Sequence, residues 1–150
     1  IQNSPPTITN PQTSGVNKDA DGTLYNYDYK ATDPDSGDPF IWYDNTALFN
    51  INATGYISDT PTESEAGSYE IKISVSDGTV NATDDFTYTI NDVTSPSINF
   101  QLPTETDESQ LTRNYILVNV TASDGKAIDT ITVYLYNQTS LVNETTNPTS

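Results

Sequence analysis

Cysteine, histidine and methionine are all missing from this 150-residue chain. Basic residues are scarce: five Lys and Arg stand against 21 Asp and Glu, for a formal net charge of −16 at pH 7. Without cysteine there is neither a disulfide framework nor a thiolate metal site. Without histidine the commonest general base and zinc ligand are gone, so serine–histidine and cysteine–histidine catalysis are excluded by composition. With so few basic side chains nothing neutralises phosphates, which argues against nucleic acid and anionic lipid as partners. Excess carboxylate points instead to cation binding and solubility, and an acidic surface adapted to salt accounts for the count equally well.

Long hydrophobic runs are missing too. No stretch approaches the roughly 18 apolar residues of a membrane span, and no signal peptide is visible. The first residue is Ile1, so the expectation is a processed product or a piece of a longer chain. Any export signal or anchor would then lie outside it, and no membrane contact is expected within it. Helical periodicity is absent, while serine, threonine, asparagine and β-forming apolar residues abound. The class is all-β.

The most informative stretch is Ala31-Thr32-Asp33-Pro34-Asp35-Ser36-Gly37-Asp38. Tyr25, Tyr27 and Tyr29 alternate with Asn26, Asp28 and Lys30 before it, and Phe40 to Tyr43 follow. Period-2 alternation marks a strand with one buried face, so the octet is a turn at a strand end. Its carboxylates repel one another unless a cation or solvent screens them, and Pro34 and Gly37 bend the chain so that they converge. Hard divalent cations, above all Ca²⁺, take six to eight oxygens of this kind.

Around this turn, residues 1–11 read as a linker entering an edge strand at Thr7-Ile8-Thr9, and 17–22 as a turn. Strands are expected over 23–32 and 39–44. Leu48 to Asn52 and Tyr56 to Ser58 read as a short hairpin about Ala53-Thr54-Gly55. A loop over 59–67 leads to a strand through Tyr69, Ile71, Ile73 and Val75, a turn at Asp77-Gly78, and a last strand through Phe86, Tyr88 and Ile90. About seven strands in roughly 90 residues is the size of an immunoglobulin-like sandwich. Strand parity then brings Asp33, Asp35, Asp38 and Asp77 to the pole of the N-terminus. Asp59, Glu63 and Glu65 fall at the opposite pole beside Asn91-Asp92.

A second module begins near Val93. Ser95-Pro96 repeats Ser4-Pro5, Ala122-Ser123-Asp124 repeats Ala31-Thr32-Asp33, and Asp129 repeats Asp38, all at an offset of about 91 residues. Its strands are expected over 114–122 and 128–137, with a loose tail from Asn143 to Ser150. Counterparts of the last strands of the first module would fall beyond Ser150, leaving a half-sandwich. Either the module is cut, or a neighbouring chain supplies the strands by β-augmentation.

Three segments together carry a family resemblance: Ala31-x-Asp33-x-Asp35-x-Gly37-Asp38, Phe49-x-Ile51-x-x-Thr54-Gly55-x-Ile57, and Gly67-x-Tyr69-x-Ile71-x-Ile73-x-Val75-x-Asp77-Gly78. Over residues 3–92 the chain resembles a cadherin repeat, closest to the dystroglycan-type and Ig-like variants of bacterial and archaeal surface proteins. The second module more weakly resembles Ig-like repeats of archaeal surface proteins. The fold implied is a Greek-key, Ig-like or cadherin-like β-sandwich in two tandem modules, 1–92 and 93–150, the second incomplete.

The resemblance implies Ca²⁺ at a junction with a preceding repeat, held by Asp33, Asp35 and Asp77, with Asp38 as a further oxygen ligand and Asn3 as part of the linker. Asn91 and Asp92 resemble an outgoing linker, which Asp124 would face. The acidic motif that cadherins carry after their fifth strand is replaced by Thr60-Pro61-Thr62-Glu63-Ser64-Glu65, and the outgoing linker keeps only Asn-Asp of a longer acidic pattern, so one ion or none is expected per junction. The role implied is a non-catalytic structural or adhesive repeat, extracellular or at the cell surface. Its partners would be neighbouring repeats of the same polypeptide, another surface protein, or a glycan. Two alternatives are an accessory carbohydrate-binding module of a secreted hydrolase and a strand-donating filament subunit.

Other patterns carry less. Asn17-x-Asp19-x-Asp21-Gly22 with Asp28 fits EF-hand spacing loosely, but no flanking helices are expected and a polar turn is preferred. Trp42 and the tyrosines alternate as core positions do, leaving Ile41 and Tyr43 for an exposed patch. Carboxylates paired for glycoside hydrolysis need a cleft that so small a module does not offer. Lys30 and Lys72 alternate with apolar residues and should face solvent, which discounts isopeptide cross-links. Glycosylation triplets occur at Asn52, Asn81, Asn119, Asn137 and Asn143, although with this much Ser and Thr their number alone proves little.

Overall fold

In the computed structural model, residues 3–35, 37, 39–106, 110–137 and 139–148 are described. The chain divides into two compact units, Ile1–Val93 and Thr94–Ser150.

The first unit is built on the hairpin of β7 (Gly67–Ser76) and β8 (Asn81–Asn91). On β7, Ile71, Ile73 and Val75 are buried while Glu70 and Lys72 are exposed. On β8, Asp84, Phe86, Tyr88 and Ile90 face inward. The period of two in the sequence becomes one face turned to the core and one to water. β5 (Ile41–Asp44) pairs with the outer side of β7, and β2 (Val16–Asp19) runs parallel to β8, giving a sheet in the order β2-β8-β7-β5.

The facing layer consists of β3 (Tyr25–Asp28) paired with β6 (Tyr56–Asp59), and β1 (Thr7–Ile8) paired with β4 (Ala31–Thr32). Tyr25, Tyr29 and Ile57 from this side meet Trp42, Ile73, Phe86 and Tyr88 from the other. Aromatic rings carry much of the contact: Tyr29 lies 5.9 Å from Trp42 and Tyr25 lies 5.4 Å from Tyr88. Each buried side chain of this kind contributes roughly 1.5–3 kcal/mol by leaving water.

Several expectations are corrected. Residues 17–22 do not form one turn, because Val16–Asp19 is strand β2. Its partner β8 is about 70 residues away, with Val16 opposite Tyr88, and no local pattern announces a parallel pairing at that distance. The turn proper is shorter, closed by the Thr23 amide donating to Asp21 Oδ1 at 2.8 Å. The single strand expected over 23–32 is broken at Tyr29 and Lys30, because β3 and β4 have different partners. The break is covered by Tyr29 N to Gly55 O, 2.8 Å, and Lys30 N to Asn10 Oδ1, 2.6 Å.

Leu48 to Asn52 is not a strand. Phe49 and Ile51 still reach the core, and Asp44 Oδ2 accepts from the Ile51 amide at 2.9 Å where a ladder bond would otherwise be. The loop over 59–67 contains a single 3₁₀ turn, Glu63–Glu65. Thr62 N and Oγ1 both donate to Glu65 Oε2, at 2.9 and 2.6 Å.

In the second unit, β9 (Ser97–Gln101) pairs with β10 (Asn119–Ser123), and β11 (Thr130–Tyr136) pairs with β12 (Leu141–Pro148). The tail expected to be loose is thus largely strand β12. The internal repeat shows in the pairing: Ile98 faces Ala122 as Ile8 faces Ala31. No described residue of this unit is fully buried. Phe100 is 70% exposed and Leu102 86%.

Candidate functional site: an acidic pole

Strand β4 delivers Asp33 and Asp35, the end of β7 delivers Asp77, and the N-terminal segment brings Asn3 and Ser4 against both. Asn3 Nδ2 donates to Asp77 Oδ2 at 2.9 Å. The Ser4 amide donates to Asp35 Oδ2 at 2.6 Å, and the Asp35 amide donates to Asp33 Oδ1 at 2.8 Å. The sequence-predicted residues Asn3, Asp33, Asp35 and Asp77 therefore join one hydrogen-bonded surface. Asp38 lies outside the described residues.

The carboxylates are not equivalent. Asp77, only 5% exposed, closes the β7–β8 turn: its Oδ1 accepts from Thr79 N at 2.7 Å and Val80 N at 2.8 Å. Gly78, at φ +95°, supplies the left-handed step that lets both amides point at it. The Val80 amide above all, then the Asn3 side chain and the Thr79 amide, hold the Asp77 carboxyl below the usual range. With two donors on Oδ1 and one on Oδ2, Asp77 has little capacity left.

Asp33 is the opposite case. Its Oδ2 is closed off from solvent and has no hydrogen-bond partner among the described residues. A sealed, unmatched carboxylate oxygen is costly, and a hard cation is one group that matches it. Against a ready-made cage, no three acidic side chains among the described residues are grouped to hold a metal ion. The pole therefore offers a partial oxygen set, centred on Asp33 and Asp35.

Elsewhere the candidate residues are placed differently. Asn91 Nδ2 donates to Asp19 Oδ1 at 2.9 Å, tying the end of β8 to β2, and Asp92 follows β8 on the surface. Asp124, in the second unit, accepts from the Lys126 amide at 3.5 Å. It lines a shallow depression of about 250 Å³ with Ser95, Ser97 and Ser123. The residues of the loose EF-hand spacing form no loop: Asp19 is on β2, Asp21 in a turn, and Asp28 on β3, paired with Lys30 at 2.7 Å. Lys30 and Lys72 face water, and Ile41 and Tyr43 are exposed.

Two buried acidic pairs escaped sequence reasoning. Tyr29 Oη donates to Asp84 Oδ2 at 2.9 Å, an oxygen that also accepts from Gln12 N at 2.7 Å. Tyr88 Oη donates to Asp59 Oδ2 at 2.8 Å. Burial first, and the neighbouring carboxylate second, push the Tyr29 and Tyr88 phenols far above the usual tyrosine range. Tyr25, raised chiefly by burial, is pushed up to about 12. The signal was present, since Asp84 is in phase with Phe86, Tyr88 and Ile90, and Asp59 with Ile57.

No known protein family matches the chain, and no curated protein matches it. Solved structures do. Drosophila N-cadherin EC1-4 is 17% identical with a TM-score of 0.56, covering 88% of this chain and 37% of that one. Protocadherin gamma B7 extracellular cadherin domains 1–4 are 16% identical with a TM-score of 0.53, covering 93% and 39%. Human protocadherin-24 EC1-2 is 16% identical with a TM-score of 0.52, covering 87% and 68%. The chain thus spans under two fifths of the two four-domain fragments. At this identity the likeness defines the fold: an all-β, Ig-like and cadherin-like Greek-key sandwich.

Proposed function

We propose that the chain is a non-catalytic structural or adhesive repeat of a larger extracellular or cell-surface protein, of the kind found in bacteria and archaea, stiffened by calcium at its acidic pole. Its partners are neighbouring repeats of the same polypeptide and, at its surface, another surface protein or a glycan. The observation that carries the reading is the sealed Oδ2 of Asp33, which has no partner among the described residues, on a pole where the incoming segment is already tied to Asp35 and Asp77. The cadherin-like fold supports it. Asp33 and Asp35 would hold the ion, and Asn3 would contribute its side-chain oxygen, since among the described residues only its nitrogen is engaged. A bound Ca²⁺ supplies positive charge that offsets the repulsion between these carboxylates. The ties of the chain itself, Asn3 to Asp77 and Ser4 to Asp35, fix the angle of the incoming segment.

The test is thermal unfolding in EDTA, then in millimolar Ca²⁺, with Mg²⁺ as control. A ligand that binds only the folded state raises the midpoint as its occupancy grows. A rise with Ca²⁺ alone, lost in Asp33→Asn/Asp35→Asn, supports the reading. An unchanged midpoint at ~10 mM Ca²⁺, above the ~10⁻⁴–10⁻³ M range of extracellular modules, would leave the pole as acidic turns only.

A further inference from the structure

The glycosylation triplets are not equivalent once the chain is folded. Attachment of a sugar to asparagine uses one atom, Nδ2, and leaves the amide oxygen in place as an acceptor. A triplet whose fold relies on Oδ1 alone is therefore compatible with a glycan. One whose Nδ2 donates into the protein must break that bond first.

Asn52 is of the first kind. It opens the turn before β6, closed by Asn52 N to Tyr56 O and Gly55 N to Asn52 O, each 3.0 Å. Its Oδ1 accepts from Thr54 N at 2.9 Å, Thr54 Oγ1 at 2.8 Å and Tyr56 N at 3.0 Å. None of these bonds uses Nδ2, and Asn52, Ala53 and Thr54 are all exposed. The Thr54 hydroxyl, donating to the amide oxygen, draws electron density from the amide and eases loss of an Nδ2 proton as a bond forms there. The turn lies close against the core: Gly55, at φ +85°, sits where a Cβ would come 2.7 Å from Tyr29 O.

Three of the other triplets begin in strand ladders. Asn119 donates Nδ2 to Leu102 O at 2.9 Å and sits in the β9–β10 ladder. Asn81 and Asn143 stand in the ladders of β8 and β12. Asn137 repeats the Oδ1-only pattern, accepting from Thr139 N at 2.9 Å and Thr139 Oγ1 at 3.2 Å, but Gln138 lies outside the described residues, so Asn52 carries the argument.

We propose that Asn52 is an N-glycosylation site of the folded chain, taking its oligosaccharide from a polyprenyl-diphosphate-linked donor. Asn52 Nδ2 bonds to C1 of the first sugar and the C1–O bond to the diphosphate breaks. Its electron pair leaves with the phosphate, and the Nδ2 proton passes to a base of the transferring enzyme. The chemistry is that of a modification added to a surface turn.

The test treats the folded, full-length chain with a purified oligosaccharyltransferase and a lipid-linked oligosaccharide, then maps occupied sites by tandem mass spectrometry. A short peptide spanning residues 50–56 shows that the enzyme is competent. The expected result is a one-oligosaccharide mass step at Asn52 in most molecules, Asn119 unmodified, and an unchanged melting midpoint. Asn52→Asp keeps a side-chain oxygen for the turn, so it should melt with the parent and lose the Asn52 step. Modification of the peptide but not of Asn52 in the folded chain would overturn the proposal. So would transfer to Asn119 as readily as to Asn52, or a lowered midpoint after transfer.

Discussion

Replacing Tyr29 by phenylalanine removes one oxygen from a side chain with no exposed surface. The ring keeps its place 4.8 Å from Tyr27 and 5.9 Å from Trp42, so packing is nearly conserved and the change reports on the hydrogen bond. That bond, 2.9 Å to Asp84 Oδ2, ends on a carboxylate sunk in the core. Hydrogen bonds to charged groups contribute about 1.5–3 kcal/mol. Asp84 keeps the Gln12 amide at 2.7 Å, so its desolvation is still partly offset, and a loss near 2 kcal/mol is expected for Tyr29→Phe. For a domain of this size, about 4–8 °C per kcal/mol places the midpoint of the first unit roughly 8–16 °C lower. Calorimetry measures the midpoint, and urea unfolding with an unchanged m value gives the free energy directly. Tyr43→Phe, on the exposed face of β5, is the control and should stay within about 0.5 kcal/mol. If Tyr29→Phe behaves like Tyr43→Phe, the carboxylate does not depend on the phenol and the buried-pair account fails.

Three further outcomes follow. Tyr25, Tyr29 and Tyr88 have phenol pKa values raised by burial, with Tyr25 at about 12; the native state keeps protons that the unfolded chain releases above pH ~10. Their contribution to stability is therefore level below pH ~10 and falls above it. Absorbance at 295 nm should show these three ionising only as the unit unfolds, and smooth titration of every tyrosine ahead of unfolding would contradict the assignment. Asp77 has the opposite sign: its lowered pKa contributes stability above about pH 4 that is lost as pH falls through the folded value. Asp77→Asn should flatten the acid limb of the stability–pH curve measured by urea unfolding, and an unaltered limb would count against this. Gly55→Ala combines a left-handed backbone with a Cβ 2.7 Å from Tyr29 O and 3.0 Å from Trp42; a loss of about 1–3 kcal/mol in urea unfolding is expected, and a neutral result would mean that the turn reseats at no cost.

Much of the first unit was legible in the chain itself. Where a strand has one dry face, apolar residues recur at every second position whatever lies opposite. Ile71, Ile73 and Val75 on β7, and Phe86, Tyr88 and Ile90 on β8, are readable for that reason. Turn chemistry was legible as well, since Asp77-Gly78 closes its turn through bonds to residues two and three positions on. Strand β2 was not, because Val16 and Lys18 are only half-buried and their partner β8 is remote. The split of β3 from β4 was hidden because both continue one alternating run, and only the change of partner divides them.

At the acidic pole the same division holds. Composition and spacing by themselves determined an all-β chain without thiol or imidazole chemistry, with a repeated motif and carboxylates placed at strand ends. These follow from side-chain type and from the period of the backbone, both local properties. Only the tertiary structure decided what each carboxylate does. Asp77 is nearly filled by its own turn and by Asn3, Asp35 holds the Ser4 amide, Asp33 keeps a sealed oxygen with no partner among the described residues, and Asp84 and Asp59 turn inward to tyrosines. Those roles depend on which donors distant segments bring within about 3 Å, the reach of a hydrogen bond, and that is set by packing rather than by position along the chain.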